Sequence, residues 1–112
     1  MVAQIRPSQL AGWLREHHDR RPLVLDVREP SEMQQAHLAP DGFDLVHIPM
    51  ATLPARLGEL DRRRPVACLC HLGGRSQRVA MYLEQQGFEH VANIVGGIHA
   101  WSLECDPSVP LY

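Results

Sequence analysis

Short apolar runs alternate with amphipathic stretches along this chain. Leu23-Val24-Leu25-Asp26-Val27 follows Arg20-Arg21-Pro22, and Val66-Ala67-Cys68-Leu69-Cys70 follows Arg62-Arg63-Arg64-Pro65. A third run, Val91-Ala92-Asn93-Ile94-Val95, follows Gly87-Phe88-Glu89-His90. Runs apolar on both faces predict strands buried in a parallel sheet and covered by helices. Val46-His47-Ile48, stopped by Pro49, predicts a weaker, marginal strand.

The stretches between the runs read as helices. Ser8 is placed to cap one whose Leu10, Trp13, Leu14 and His17 share a face. Ser31 and Gln34 stand at capping-box spacing and predict a short helix after Pro30. Thr52 to Leu60 puts Leu53, Leu57 and Leu60 on one side. Ser76 is expected to cap a helix with Val79, Ala80 and Leu83 inward, stopped by Gly87. Gly97 to Ser102 forms a last short turn carrying Ile98 and Trp101.

Strand alternating with helix predicts an α/β fold with a mostly parallel sheet. At 112 residues the chain is expected to be a single domain, 1–112, with a core over about 5–102 and an irregular tail over 103–112. A composition of 45% hydrophobic and 21% charged residues fits a globular core and excludes disorder and collagen-like repeats.

Charge narrows the function. The net charge of -2 gives no basic field to recruit nucleic acid. All 11 basic residues are arginine, so Schiff-base chemistry on lysine is excluded. No apolar run reaches the roughly 18 residues of a membrane span, and no signal-peptide pattern opens the chain; the cytoplasm is the expected location. The three cysteines, Cys68, Cys70 and Cys105, leave at least one free thiol, which suits a reducing compartment or a reactive role. Cys68 and Cys70 are expected either to point to opposite faces or to have one lie beyond the strand. Cys68 reads as core and Cys105 as exposed.

The candidate chemistry lies in Cys70-His71-Leu72-Gly73-Gly74-Arg75-Ser76. The segment runs from the carboxyl end of a buried strand to a helix start, the crevice where open α/β sheets bind ligands. Two glycines let the backbone curl so that successive N–H groups converge. The helix adds its positive end and Arg75 a full charge, a setting that favours a thiolate and an anion beside it.

With these residues in hand, the chain resembles the single-domain rhodaneses, proteins of the thiosulfate sulfurtransferase type. The likeness rests on Leu23 to Glu32, His47-Ile48-Pro49, the Cys70 to Arg75 loop with Ser76, and Asn93 to Trp101. It implies a central, mostly parallel five-stranded sheet with helices on both faces. It also implies a persulfide on Cys70, with the amides of His71, Leu72, Gly73, Gly74 and Arg75 around the outer sulfur. The reaction implied moves a sulfane sulfur from thiosulfate, or a similar donor, to cyanide or a thiol, with no cofactor. Partners would be small sulfur donors and acceptors, with a protein thiol as a further acceptor and a monomer or weak dimer as the assembly. Two features depart from the pattern. Leu72 stands where many members carry a polar or basic residue, and Ala36 to Asp44 replaces a compact turn.

Other readings are weighed on the same residues. Of the seven histidines, His17 and His18 sit together on a helix beside Asp19 and the rest are scattered, with no Cys-x-x-Cys or His-x-x-x-His pair, so no metal site is expected. A cysteine phosphatase or arsenate reductase would need Cys-x5-Arg and a general acid, whereas Cys70 to Arg75 is Cys-x4-Arg. A non-catalytic rhodanese-like carrier or binding module is the remaining alternative. Asp26 and Arg28 end the strand beside the loop; Asp26 is expected either to hold the loop through backbone or arginine hydrogen bonds or to cap the following turn. Trp101 reads as core rather than substrate contact.

Overall fold

Five short strands, β1 (Ala3–Ile5), β2 (Leu23–Asp26), β3 (Asp44–His47), β4 (Val66–Leu69) and β5 (Val91–Ile94), pair entirely in parallel, in the order β1-β5-β4-β2-β3. The coordinates are a computed structural model that describes all 112 residues. β5, β4 and β2 form the centre and are buried along their whole length, as their two-faced apolar runs predict. Each parallel neighbour needs a crossover. The intervening segments carry α1 (Leu10–Glu16), α2 (Pro30–Gln35), α3 (Leu53–Arg56) and α4 (Gly74–Gln85), and α5 (Gly97–Glu104) follows β5.

Alternation along the strands builds two cores. Leu23, Leu25, Val66 and Cys68 face one way, against Leu53 and Leu57 and the Val79, Ala80 and Leu83 stripe of α4. Val24, Ala67, Leu69, Ala92 and Ile94 face the other way, against Leu10 and Trp13 of α1 and Ile98 of α5. The period of two thus puts helices on both faces of the sheet. Each such aliphatic side chain contributes about 1.5–3 kcal/mol on full burial, so both layers are needed to hold the central strands.

The edges depart from the sequence pattern. β1 is only three residues long with two of them exposed, and it is fixed by backbone register, Ala3 against Ala92 and Ile5 against Ile94. β3 is a full four-residue partner of β2, beginning at the polar Asp44 rather than at Val46, and the buried Ile48 lies just past it. An edge strand half open to solvent tolerates polar residues, which hides its extent from an apolar pattern.

Helix starts also differ. Ser8 lies inside a 3₁₀ turn, Pro7–Gln9, that runs straight into α1, so it caps nothing. α2 opens from Glu29, whose N–H donates to the Glu32 carboxylate at 3.1 Å, with Pro30 in the first turn. The capping pair is therefore Glu29 and Glu32 rather than Ser31 and Gln34, because proline's fixed φ suits the first helical position. α3 is one turn between two 3₁₀ turns, although Leu53, Leu57 and Leu60 are all buried as expected. α5 continues to Glu104, two residues past the expected end of the core. The tail is irregular but anchored: Val109 is buried, and its carbonyl accepts from Ser102 Oγ at 2.6 Å.

Candidate active site

β4 ends at Leu69, which puts Cys70 first beyond the strand at the carboxyl edge of the sheet. Its side chain nevertheless shares one face and one apolar cluster with Cys68, as residues two apart do. Cys68 is fully buried, and that burial pushes its thiol pKa up. All three cysteines are free, with Cys105 exposed.

Two close approaches fix the loop. Ile98 N–H donates to the Cys70 carbonyl at 2.9 Å and His99 N–H to the His71 carbonyl at 3.1 Å, so the first turn of α5 clamps the loop's start. The clamp requires glycine at 97, where a Cβ would overlap both carbonyls. Gly73, at φ +105, turns the chain back so that its N–H reaches Cys70 Sγ at 3.1 Å. The Ser76 N–H reaches the same sulfur at 3.3 Å. Sγ therefore sits at the amino end of α4 with two backbone donors aimed at it, a setting that favours negative charge there.

Ser76 is not a cap. It is the third residue of α4, fully buried, with its Oγ 3.2 Å from Cys70 Sγ and donating to Asn93 Oδ1 at 2.6 Å. The helix instead starts from Gly73, and Gly74 is its first residue.

Arg75 does not carry an unpaired charge into the cup. Its guanidinium binds Glu32 of α2 bidentately at 2.5 and 2.8 Å. Glu32 also accepts from the Tyr112 hydroxyl at 2.7 Å. The Arg75 hydrogen bond, helped by Tyr112 and working against burial, holds the Glu32 carboxyl at about 2. The same pair raises Arg75 further above its ordinary range. Of the remaining loop residues, Leu72 is 62% exposed, an apolar side chain open to solvent where a polar one was the family expectation. His71 is half-buried and stacks on the Tyr112 ring, centroids 3.9 Å apart and planes 10° apart.

Asp26 and Arg28 form an ion pair that is fully buried. Arg28 donates through Nε at 2.9 Å and Nη2 at 2.8 Å to the two carboxylate oxygens, and through its own N–H at 3.1 Å. Asp26 thus caps the turn after β2 and makes no hydrogen bond to the 70–76 loop. Arg28 meets the site at one remove: Nη1 donates to the Tyr112 hydroxyl at 3.0 Å, and Tyr112 donates on to Glu32. His47 Nε2 secures the Arg28 carbonyl at 2.7 Å. Trp101 is partly buried, packing against the core cluster and facing Phe43.

The sequence patterns gave no role to Glu32, Asn93 or Tyr112. Glu32 carried a usable sign, since it stands three residues after Glu29 at a helix start. Asn93 carried another, being a polar residue inside a buried strand. Tyr112 carried none.

Residues 10–104 match the family model of the Rhodanese-like domain. The chain belongs to the rhodanese-like family. It is 37% identical over 102 residues to a protein named sulfurtransferase from Allochromatium vinosum, covering 91% of this chain and 90% of that one. It is 34% identical over 95 residues to the thiosulfate sulfurtransferase GlpE of Coxiella burnetii, covering 84% and 83%. It is 42% identical over 91 residues to the Rhodanese-like/PpiC domain-containing protein 12 of Arabidopsis thaliana, where it spans 30% of that protein's length. Among solved structures, a rhodanese-like domain protein from Staphylococcus aureus superposes with a TM-score of 0.75 at 28% identity, over 99% of both chains. These likenesses support a role in sulfur transfer. No helix is long and apolar enough to cross a membrane.

Proposed function

We propose that this protein is a sulfurtransferase that carries a sulfane sulfur as a persulfide on Cys70. Thiosulfate, or a donor like it, supplies the sulfur, and cyanide or a thiol, including a protein thiol, receives it. The observation that carries the reading is the convergence of the Gly73 and Ser76 amides on Cys70 Sγ at the start of α4.

The reaction divides into two displacements. In the first, the Cys70 thiolate attacks the outer sulfur of thiosulfate. A new S–S bond forms, the donor's S–S bond breaks, and its electron pair leaves on sulfite. In the second, the acceptor attacks the outer persulfide sulfur, and the electron pair of the broken S–S bond returns to Sγ. Sγ is nucleophile in one step and leaving group in the other, so donors that stabilise its charge serve both; a hydrogen bond to a charged group contributes about 1.5–3 kcal/mol. The Cys-x4-Arg spacing favours a single sulfur over a tetrahedral oxyanion, whose outer oxygens each need donors.

Turnover of thiosulfate and cyanide to thiocyanate tests the assignment. Cys70→Ser abolishes it, while Cys68→Ala and Cys105→Ser retain most of it. An active Cys70→Ser with a dead Cys105→Ser refutes the site. Hydrolysis of an aryl phosphate stays at background; robust hydrolysis that Cys70→Ser eliminates would place the protein with the phosphatases.

A further inference from the structure

The hydrogen bonds behind Cys70 admit only one arrangement of protons. Asn93, on β5 and 4% exposed, has its Nδ2 directed at the Gly73 carbonyl at 3.4 Å and at Gln4 Oε1 at 3.1 Å. A backbone carbonyl only accepts, so the amide nitrogen must face Gly73 and the amide oxygen must face Ser76. That oxygen also only accepts. The 2.6 Å contact between Ser76 Oγ and Asn93 Oδ1 therefore consumes the one proton that the Ser76 hydroxyl owns. Toward Cys70 Sγ, 3.2 Å away, Ser76 is left with lone pairs. In this state the thiol S–H donates to Ser76, and a thiolate would receive only the two backbone N–H groups.

We propose that Asn93 is a positioning residue that holds the Ser76 hydroxyl proton away from Cys70, so that Ser76 accepts from the resting thiol and donates to the sulfur only by breaking its bond to Asn93. Ser76 then has two rotor positions that follow the charge on Sγ: toward Asn93 when the sulfur is protonated, toward Cys70 when it is ionised or leaving. Asn93 exchanges no proton in either position. It sets the energy difference between them, and through that the reactivity of the sulfur. The charged groups around Cys70 lie on other elements and are common to both states: Arg75 on α4 with Glu32 on α2, and the Asp26–Arg28 pair at the carboxyl end of β2 and the turn after it. His71, His99 on α5 and Tyr112 complete the titratable surroundings.

The inference rests on Cys70 being the sulfur carrier only for its meaning in turnover, and its test reads the thiol directly. In a Cys68→Ala, Cys105→Ser background, where Cys70 is the sole thiol, Asn93→Leu removes the acceptor while keeping a side chain of similar bulk. Freed from Asn93, Ser76 donates to the ionised sulfur, and the alkylation rate of Cys70 by iodoacetamide at neutral pH rises about tenfold, the change expected for one gained hydrogen bond to a charged group. In a Ser76→Ala background the same Asn93→Leu substitution leaves the rate unchanged. No acceleration, or equal acceleration with and without Ser76, overturns the proposal, since Asn93 would then act through packing alone. A second measurement needs no change at Asn93. The infrared S–H stretch of Cys70 lies at lower frequency than that of an exposed cysteine and moves up in Ser76→Ala; an identical band in both proteins overturns the assignment. Failure of sulfur transfer with these shifts intact would instead refute the sulfurtransferase reading.

Discussion

Arginine is used differently at the two ends of this sheet. At the carboxyl edge, Arg28 and Arg75 are each locked to one carboxylate with two-pronged geometry, and Arg28 has no exposed surface at all. At the amino edge, Arg20, Arg21, Arg62, Arg63 and Arg64 cluster on the turns before β2 and β4. There Arg20 meets Glu89 at 3.3 Å with both side chains about half exposed, and Arg63 is 83% exposed and 3.6 Å from Asp61. Pairs held in water contribute about 0–1 kcal/mol, because solvent screens the attraction and ordering two long side chains costs entropy. A buried pair has a different character: its net contribution is modest, but removing one member strands an uncompensated charge. The carboxyl-edge pairs thus fix geometry, whereas at the amino edge exposed pairs such as Arg20–Glu89 and Arg63–Asp61 stay solvated beside Arg64, which is 18% exposed and holds Asp44 at 2.6 Å. The following substitutions break that contrast at successive points.

Arg28→Met carries the largest expected effect on stability. It leaves Asp26 buried without a charge partner, keeping only the backbone N–H of residue 28, and unfolding stability in urea falls by about 3–5 kcal/mol. A loss below about 1 kcal/mol would show that the pair behaves like the surface pairs of the amino edge.

Arg75→Ala comes next and has two readouts. The kcat/KM for thiosulfate falls by about 2 kcal/mol, roughly 30-fold, because Glu32 is left as an uncompensated carboxylate beside the loop and repels the anionic donor. The acid limb of stability also changes. Glu32 is held at about 2 in the folded protein, below its ordinary 4.5. Its stabilisation is therefore fully present above that ordinary value and is lost as pH falls toward the folded one. Arg75→Ala removes most of this acid-sensitive stabilisation, so the variant loses less between about pH 5 and pH 2 than the parent does. Parallel acid limbs in the two proteins would mean that Glu32 gains nothing from Arg75.

Tyr112→Phe keeps the ring over His71 and deletes the hydroxyl that links Arg28 to Glu32. A loss of about 1 kcal/mol in stability is expected, the usual net worth of a hydrogen bond. A neutral result would show that the tail rests on the site through stacking alone. Smallest of all, Arg63→Ala at the amino edge shifts stability by less than about 0.5 kcal/mol in either direction. A larger loss would erase the contrast between the two edges.

The same comparison explains what the sequence could convey. β2, β4 and β5 were legible because a strand buried on both faces must be apolar at every position, and the loop after β4 was legible because cysteine, paired glycines, arginine and serine stand together between strand and helix. β1 was not, since an edge strand of three residues is fixed by backbone register. Ser76 reads as a cap because serine before an apolar stripe usually is one; a start at Gly73 with positive φ places the helix three residues earlier and turns the hydroxyl inward. Arg28 and the amino-edge arginines stand near acidic residues along the chain, whereas Arg75 meets a Glu32 that lies on a distant segment, and only the fold decides which become buried. Tyr112 reaches the site from 36 residues beyond Ser76, a contact that no local pattern encodes.

The central claim concerns the sulfur of one residue, and intact mass with peptide mapping tests it most directly. After incubation with thiosulfate and removal of excess donor, the account predicts a single added sulfur atom, located on the peptide containing Cys70, released by cyanide and missing in Cys70→Ser. A protein that takes up no sulfur, or takes it up on Cys105 while Cys70 stays a free thiol, would contradict it.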